Sequence, residues 1–145
     1  MPFTSVRHVL TARPGAVPEA RQLIRSYVEE HCLNAGAIRE NVALAVSEAV
    51  GNAVRHAYDD DPGRVEIAAR HAGDWLEVVV RDWGKGWQPS SDPGLGLGVP
   101  LMRSMGELSV TAPDGGGCRV SLRFPCRRRS DAQSDPAGRS ELRRV

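Results

Sequence analysis

A chain of 145 residues, 41% hydrophobic and 26% charged, has the material for one globular domain with a core of its own. Its net charge of +1 gives no bulk electrostatic reason to expect nucleic acid or an anionic membrane as partner, and no run reaches the roughly 20 apolar residues that cross a bilayer. No N-terminal stretch resembles a secretory signal, and three cysteines, an odd number without metal-type spacing, lead us to expect a reduced, soluble, cytoplasmic protein without disulfides.

Residues 3–11 alternate loosely in polarity and predict a first strand. Pro18 to about His31 predicts a helix, with Pro18 suited to the first turn and Leu23, Ile24, Tyr27 and Val28 recurring at helical spacing. Asn34-Ala35-Gly36 predicts a turn. A second helix follows from about Ala37 to Tyr58. At about 100° per residue, Val42, Ala43, Val46, Ala49, Val50, Ala53, Val54 and Ala57 form one continuous apolar arc. Asn41, Glu48, Asn52 and His56 occupy the neighbouring arc. These small apolar side chains suit close packing on a sheet, and Asp59-Asp60-Asp61-Pro62-Gly63 ends the helix with breaker chemistry.

Three later segments alternate with a period of two. Val65, Ile67 and Ala69 share one face; so do Leu76, Val78 and Val80; so do Cys118, Val120, Leu122 and Phe124. Charged or polar residues take the opposite faces. Leu108 and Val110 mark another short strand, and Gly98 to Met105 can form a short helix. A sheet wetted on one side is largely antiparallel. With the helices on its other side, the expected fold is a two-layer α+β sandwich covering residues 1–125. The last twenty residues, from Cys126, hold six arginines against three acids and almost nothing apolar, so they are expected to form a disordered, Arg-rich tail.

Three groups of residues carry chemical interest. Asp82 continues the period of Leu76, Val78 and Val80, which turns a carboxylate toward the covered face. There it must find donors, either from the backbone of the Gly84-Lys85-Gly86 turn or from a ligand's amino group. Gly94-Leu95-Gly96-Leu97-Gly98 precedes the short predicted helix, where exposed amides suit phosphate; it is neither a Walker A motif nor a Rossmann fingerprint. Glu48, Asn52 and His56 stack at four-residue intervals on one helix. An amide oxygen is a reasonable Mg²⁺ ligand beside phosphate, and a carboxylate one turn earlier can take a proton from a hydroxyl. Gly51 within that helix costs about 1 kcal/mol relative to Ala, a sign that space is needed there.

Glu48-Ala49-Val50-Gly51-Asn52-Ala53-Val54-Arg55-His56-Ala57-Tyr58 resembles the N-box of the ATPase superfamily shared by gyrase, a heat-shock chaperone, histidine kinases and MutL. Asp82-Trp83-Gly84-Lys85-Gly86 resembles its first glycine box, and Gly96-Leu97-Gly98-Val99-Pro100-Leu101-Met102 its second. The motifs agree in order and spacing over roughly residues 5–125. The resemblance implies a Bergerat-type ATP-binding fold. With the Glu-x-x-x-Asn-x-x-x-His-x-Tyr form of the N-box, and without an upstream dimerisation helix or phosphoacceptor histidine, the chain looks most like the anti-sigma-factor serine/threonine kinases of bacterial partner switching.

That resemblance implies roles. Asn52 ligates Mg²⁺ between the phosphates of ATP or ADP, and Glu48 is the general base for a serine hydroxyl. Asp82 binds the adenine amine, with Gly84 and Gly86 shaping the base pocket. Gly94, Gly96 and Gly98 belong to the lid and the phosphate-facing helix start, and His56 lies beside the nucleotide. Cys118 stands at a nucleotide-binding position where the family usually has Thr, and a thiol is a weaker donor than a hydroxyl. The implied partners are a sigma factor and a STAS-type anti-anti-sigma protein, with a homodimer plausible and neither nucleic acid nor membrane directly engaged. The lid segment from Gln88 to Pro93 holds no arginine to meet a γ-phosphate, leaving Lys85 as a candidate cation. An alternative function follows from these departures: a non-catalytic module whose partner binding responds to nucleotide.

Overall fold

The computed structural model describes residues 5–86 and 107–129. Seven elements follow in order: β1 (Ser5–Thr11), α1 (Ala16–His31), α2 (Ala35–His56), β2 (Arg64–Ala72), β3 (Trp75–Asp82), β4 (Glu107–Thr111) and β5 (Cys118–Pro125). The five strands form one sheet in the order β1-β2-β3-β5-β4, and every neighbouring pair is antiparallel. The expected α+β sandwich with its antiparallel sheet is the observed architecture.

Alternation along the strands decides which face is covered. Val65, Ile67, Ala69, Leu76, Val78, Val80, Val120, Leu122 and Phe124 are all buried. The intervening Glu66, Arg70, Glu77, Arg81, Arg119 and Arg123 stand half-exposed or exposed on the open face. On the covered face, α1 contributes Ala16, Ala20, Ile24, Tyr27 and Val28, and α2 contributes the expected Val42, Ala43, Val46, Ala49, Val50 and Ala53. Two further helix positions, Ser47 and Asn52, are buried although polar. Ser47 is satisfied: its hydroxyl donates to Ala43 O at 2.7 Å and accepts from Arg21 Nε at 3.0 Å, which ties α2 to α1.

Three boundaries differ from those read in the sequence. α2 begins at Ala35 rather than Ala37, because Gly36 sits in the first helical turn, where its backbone N–H lacks an intrahelical acceptor anyway. α1 begins at Ala16, with Pro18 still inside its first turn. The folded body also runs past residue 125. Leu33 N donates to Arg127 O, Arg129 N to His31 O at 2.8 Å and Cys126 N to Asp74 O at 2.9 Å. Asn34 grips the same segment twice, donating through Nδ2 to Pro125 O at 3.1 Å and accepting from Arg127 N at 2.8 Å. Residues 126–129 thus form a strap across the α1–α2 junction.

The strap corrects the expectation of a chain without disulfides. Cys32 and Cys126 are bonded, across 94 residues of sequence, with Cα atoms 5.6 Å apart. An odd cysteine count conceals such a pair, since the third cysteine, Cys118, is buried elsewhere as a free thiol. No helix among the described residues is long and apolar enough to cross a membrane. The short helix expected over Gly98 to Met105 and the Arg-rich residues beyond 129 lie outside the described residues.

Candidate nucleotide site

The C-terminal part of α2, the end of β3 and the start of β5 meet at one end of the sandwich. Asp82 is the last residue of β3 and pairs in register with Cys118, the first residue of β5. Its side chain faces inward and is 2% exposed. Asp82 Oδ1 accepts from Gly84 N at 3.0 Å and from Cys118 N at 3.2 Å. A carboxylate this deeply buried is costly without such donors, and bonds to backbone N–H groups hold it in a fixed orientation.

Glycine is demanded at two positions around it. A Cβ on Gly84 would overlap the carbonyl of Ala57, the residue that caps α2. Gly117 has φ +83°, and a Cβ there would overlap the Asp82 carbonyl. The turn after β3 is therefore pressed directly on the end of α2, and Lys85 N donates to Ala57 O at 2.8 Å. Tyr58 completes the junction: its hydroxyl accepts from Trp83 N at 2.9 Å and donates to Arg64 O at 2.7 Å.

Cys118 lies against Asp82, its register partner across the sheet. Burial, and then the Asp82 charge, push its thiol up to about 12, so it is neutral at physiological pH. It can act as a weak donor but not as a nucleophile.

Asn52 sits five residues before Ala57, about 7.5 Å along the helix axis. It is fully buried, at 0% exposure. Arg55 Nη2 donates to Asn52 Oδ1 at 2.8 Å, which fixes the amide orientation and leaves Nδ2 buried without a hydrogen-bond partner among the described residues. An unpaired buried donor costs about 1–3 kcal/mol and calls for a ligand or a functional reason. Glu48, one turn earlier, and His56, the last residue of α2, are both half-buried on the rim.

Arg55 is the functional candidate that sequence reasoning passed over. Its guanidinium folds back over Gly51, where a Cβ would lie 3.0 Å from Nη1. The spacing Gly51, Asn52, Arg55 signals this, because residues three and four apart share a helix face. Among the described residues, the helix itself thus supplies a cation beside Asn52. Lys85, the cation candidate in the sequence, is instead paired with Asp59 at 2.8 Å on the exposed surface. Gly86 follows the turn with φ +80°. Gly94, Gly96 and Gly98 lie outside the described residues.

A buried acceptor at the end of a strand, glycines forced against a helix terminus and a buried amide beside a cation thus share one end of the sandwich. The model of the histidine kinase-like ATPase domain matches residues 10–124, and the chain belongs to that family. Among curated relatives, the chain is 35% identical over 97 residues to the sensor histidine kinase PdtaS of Mycolicibacterium smegmatis, covering 60% of this chain and 19% of that protein. It is 33% identical over 96 residues to PdtaS of Mycobacterium tuberculosis, covering 59% and 19%. The chain thus spans about a fifth of the length of these relatives. Among solved structures, the Acinetobacter baumannii histidine kinase AdeS aligns with a TM-score of 0.48 at 12% identity, covering 83% of this chain and 68% of that one.

Proposed function

We propose that this chain binds Mg-ATP and transfers the γ-phosphoryl group to a serine of a small partner protein, acting as an anti-sigma-factor kinase in a partner switch. The observation that carries the reading is Asn52: a fully buried amide whose Nδ2 has no hydrogen-bond partner among the described residues, one turn after Glu48 and bonded to Arg55. Nothing in a solvated helix face requires that arrangement. An amide oxygen is a hard donor of the kind Mg²⁺ takes, so Asn52 Oδ1, once released by Arg55, fits the ion. Mg²⁺, when bound, neutralises charge on the phosphates.

In this reading Asp82 accepts from the adenine amine while its Oδ1 stays fixed by Gly84 N and Cys118 N. Gly84 and Gly86 shape the pocket for the base, Cys118 lines it, and His56 lies beside the nucleotide. Gly94, Gly96 and Gly98, outside the described residues, keep the phosphate-binding role that the resemblance implies. Arg55 leaves Asn52 Oδ1 and turns to the phosphates, where a guanidinium offsets developing charge. Glu48 takes the proton of the serine hydroxyl as its oxygen bonds to the γ-phosphorus, and the bond to the β–γ bridging oxygen breaks to release ADP. The N-box spacing from Glu48 through Asn52 and His56 to Tyr58 favours the serine-kinase subgroup.

The similarity to PdtaS favours a second reading, in which the acceptor is a histidine. One experiment separates them. The chain is incubated with Mg²⁺ and γ-labelled ATP together with candidate STAS-type antagonists and histidine-bearing partners. Transfer to serine gives an acid-stable, alkali-labile label; transfer to histidine gives an acid-labile one. Glu48→Ala is expected to lose transfer while still binding ATP, and transfer surviving that change removes Glu48 as the base. Nucleotide-dependent partner binding with no label on any partner selects the non-catalytic module.

A further inference from the structure

At the opposite end of the sheet from Asp82, three metal-ligating side chains converge that the nucleotide chemistry does not use. Cys32 caps α1, His71 lies near the end of β2, and Cys126 follows β5. All three are buried, and their sulfur and nitrogen atoms lie within 4.8 Å of one another. His71 Nε2 stands 2.9 Å from Cys126 Sγ and 3.9 Å from Cys32 Sγ. The imidazole is 3% exposed, and its Nδ1 is buried without a hydrogen-bond partner among the described residues. A disulfide needs no imidazole turned toward both sulfurs, and an apolar side chain would fill this position at lower cost.

Two thiolates and an imidazole make a soft donor set that suits zinc rather than magnesium or calcium. Zinc holds sulfur at about 2.3 Å and imidazole nitrogen at about 2.0–2.1 Å, so two sulfurs on a tetrahedral ion lie about 3.8 Å apart. With the cysteine Cα atoms 5.6 Å apart, that separation is reached by turning the side chains. His31 brings a further imidazole to this end of the fold, its ring centroid 6.2 Å from that of His71.

We propose that the reduced chain binds a zinc ion through Cys32, His71 and Cys126, and that the disulfide is the oxidised, metal-free state of the same site. In the oxidation each zinc-bound thiolate gives up one electron, the S–S bond forms and Zn²⁺ leaves. A peroxide takes the two electrons with two protons, its O–O bond breaks, and water is the product. In the reverse direction a dithiol reductant takes over the disulfide, and the two freed thiols release their protons as zinc binds. Either state fastens the strap at residues 126–129 to the α1–α2 junction. The site therefore stores the redox history of the protein without opening that end of the fold.

The test uses the full chain, reduced with a phosphine, freed of metal and titrated with Co²⁺ and then Zn²⁺. Cobalt is expected to give a thiolate charge-transfer band and the visible bands of a tetrahedral ion, both lost as about one equivalent of zinc displaces it. The untreated disulfide form is expected to show neither. Peroxide added to the zinc-loaded chain is expected to release zinc to a chromogenic chelator as titratable thiols fall from the three in the sequence to the single Cys118. His71→Ala is expected to weaken zinc binding at least tenfold with an unchanged circular dichroism spectrum. The peroxide release is measured on the unsubstituted chain, so it stands even where a substitution impairs folding. A reduced, folded chain that shows no thiolate–cobalt band, or zinc held as tightly by His71→Ala as by the parent, overturns the proposal.

Discussion

At the scale of single residues, the site depends on small backbone distances around Asp82. Asp82→Asn keeps an oxygen for Gly84 N and Cys118 N but removes the charge and presents an N–H where a ligand amine needs an acceptor. A hydrogen bond to a charged group contributes about 1.5–3 kcal/mol. Isothermal calorimetry of this variant is therefore expected to show Mg-ATP affinity lower by roughly 10- to 100-fold. Gly84→Ala forces a methyl group against the Ala57 carbonyl. Overpacking of this kind costs about 1–3 kcal/mol, so a lower denaturation midpoint and weaker nucleotide binding are expected together. Cys118 gives a pH signature. Its thiol is pushed up from 9.0 to about 12 by burial and then by Asp82. A group whose folded pKa lies above its unfolded one contributes stability that is full below the unfolded value and is lost as pH rises. Tyr27, raised by burial from 10.0 to about 12, acts in the same direction. The urea midpoint is thus expected to fall between about pH 9 and 12, and Cys118→Ala to flatten the early part of that fall.

At the scale of elements, the strands and α2 were legible because each obeys one simple period. The sheet is wetted on one face only, so alternation in β2, β3 and β5 shows directly which residues are inside, Asp82 included. The small-residue arc of α2 likewise marked its packed face. What stayed hidden depends on contacts that no local pattern encodes. The bond between Cys32 and Cys126 is made by topology, across 94 residues. The pairing of Lys85 with Asp59 depends on how the turn after β3 meets the end of α2. Asn34 lies in the turn that the sequence predicts, and from there its side chain also holds the strap. Asn34→Ala removes both of its hydrogen bonds to that segment. At about 1 kcal/mol per bond, chemical denaturation is expected to show a loss of about 1–3 kcal/mol, with nucleotide affinity unchanged.

At the scale of the whole molecule, the sandwich separates its two chemistries. β3 runs from Trp75, beside the strap, to Asp82, in the nucleotide site, and its seven residue steps span about 23 Å. α2 makes the same journey, from Ala35 next to Cys32 to Ala57 against Gly84. Closing a loop of 94 residues restricts the unfolded chain by an amount worth about 4–5 kcal/mol in the loop-entropy account. Reduction in the presence of a chelator is therefore expected to lower stability by up to that amount, read from urea denaturation with and without reductant. Nucleotide affinity is expected to change little, because the cut lies at the far end of both elements.

Two indoles, Trp75 at the start of β3 and Trp83 just after its end, have an optical consequence. Trp83 stands between Asp82 and Gly84 with the guanidinium carbons of Arg64 and Arg81 at 4.0 and 4.7 Å from its ring centroid. Trp75, at the other end of the strand, lies under Arg123 at 4.5 Å, and the neighbouring Asp74 carbonyl accepts from Cys126 N. One strand thus carries a fluorophore at each of its ends, each held by a cation whose displacement alters its emission. Trp83 is placed to signal events at the base pocket and Trp75 to signal the state of the sulfurs. In a Trp87→Phe background, which removes the third indole of the sequence, Trp83→Phe and Trp75→Phe then divide the two signals, so a single cuvette can follow both ends of the molecule at once.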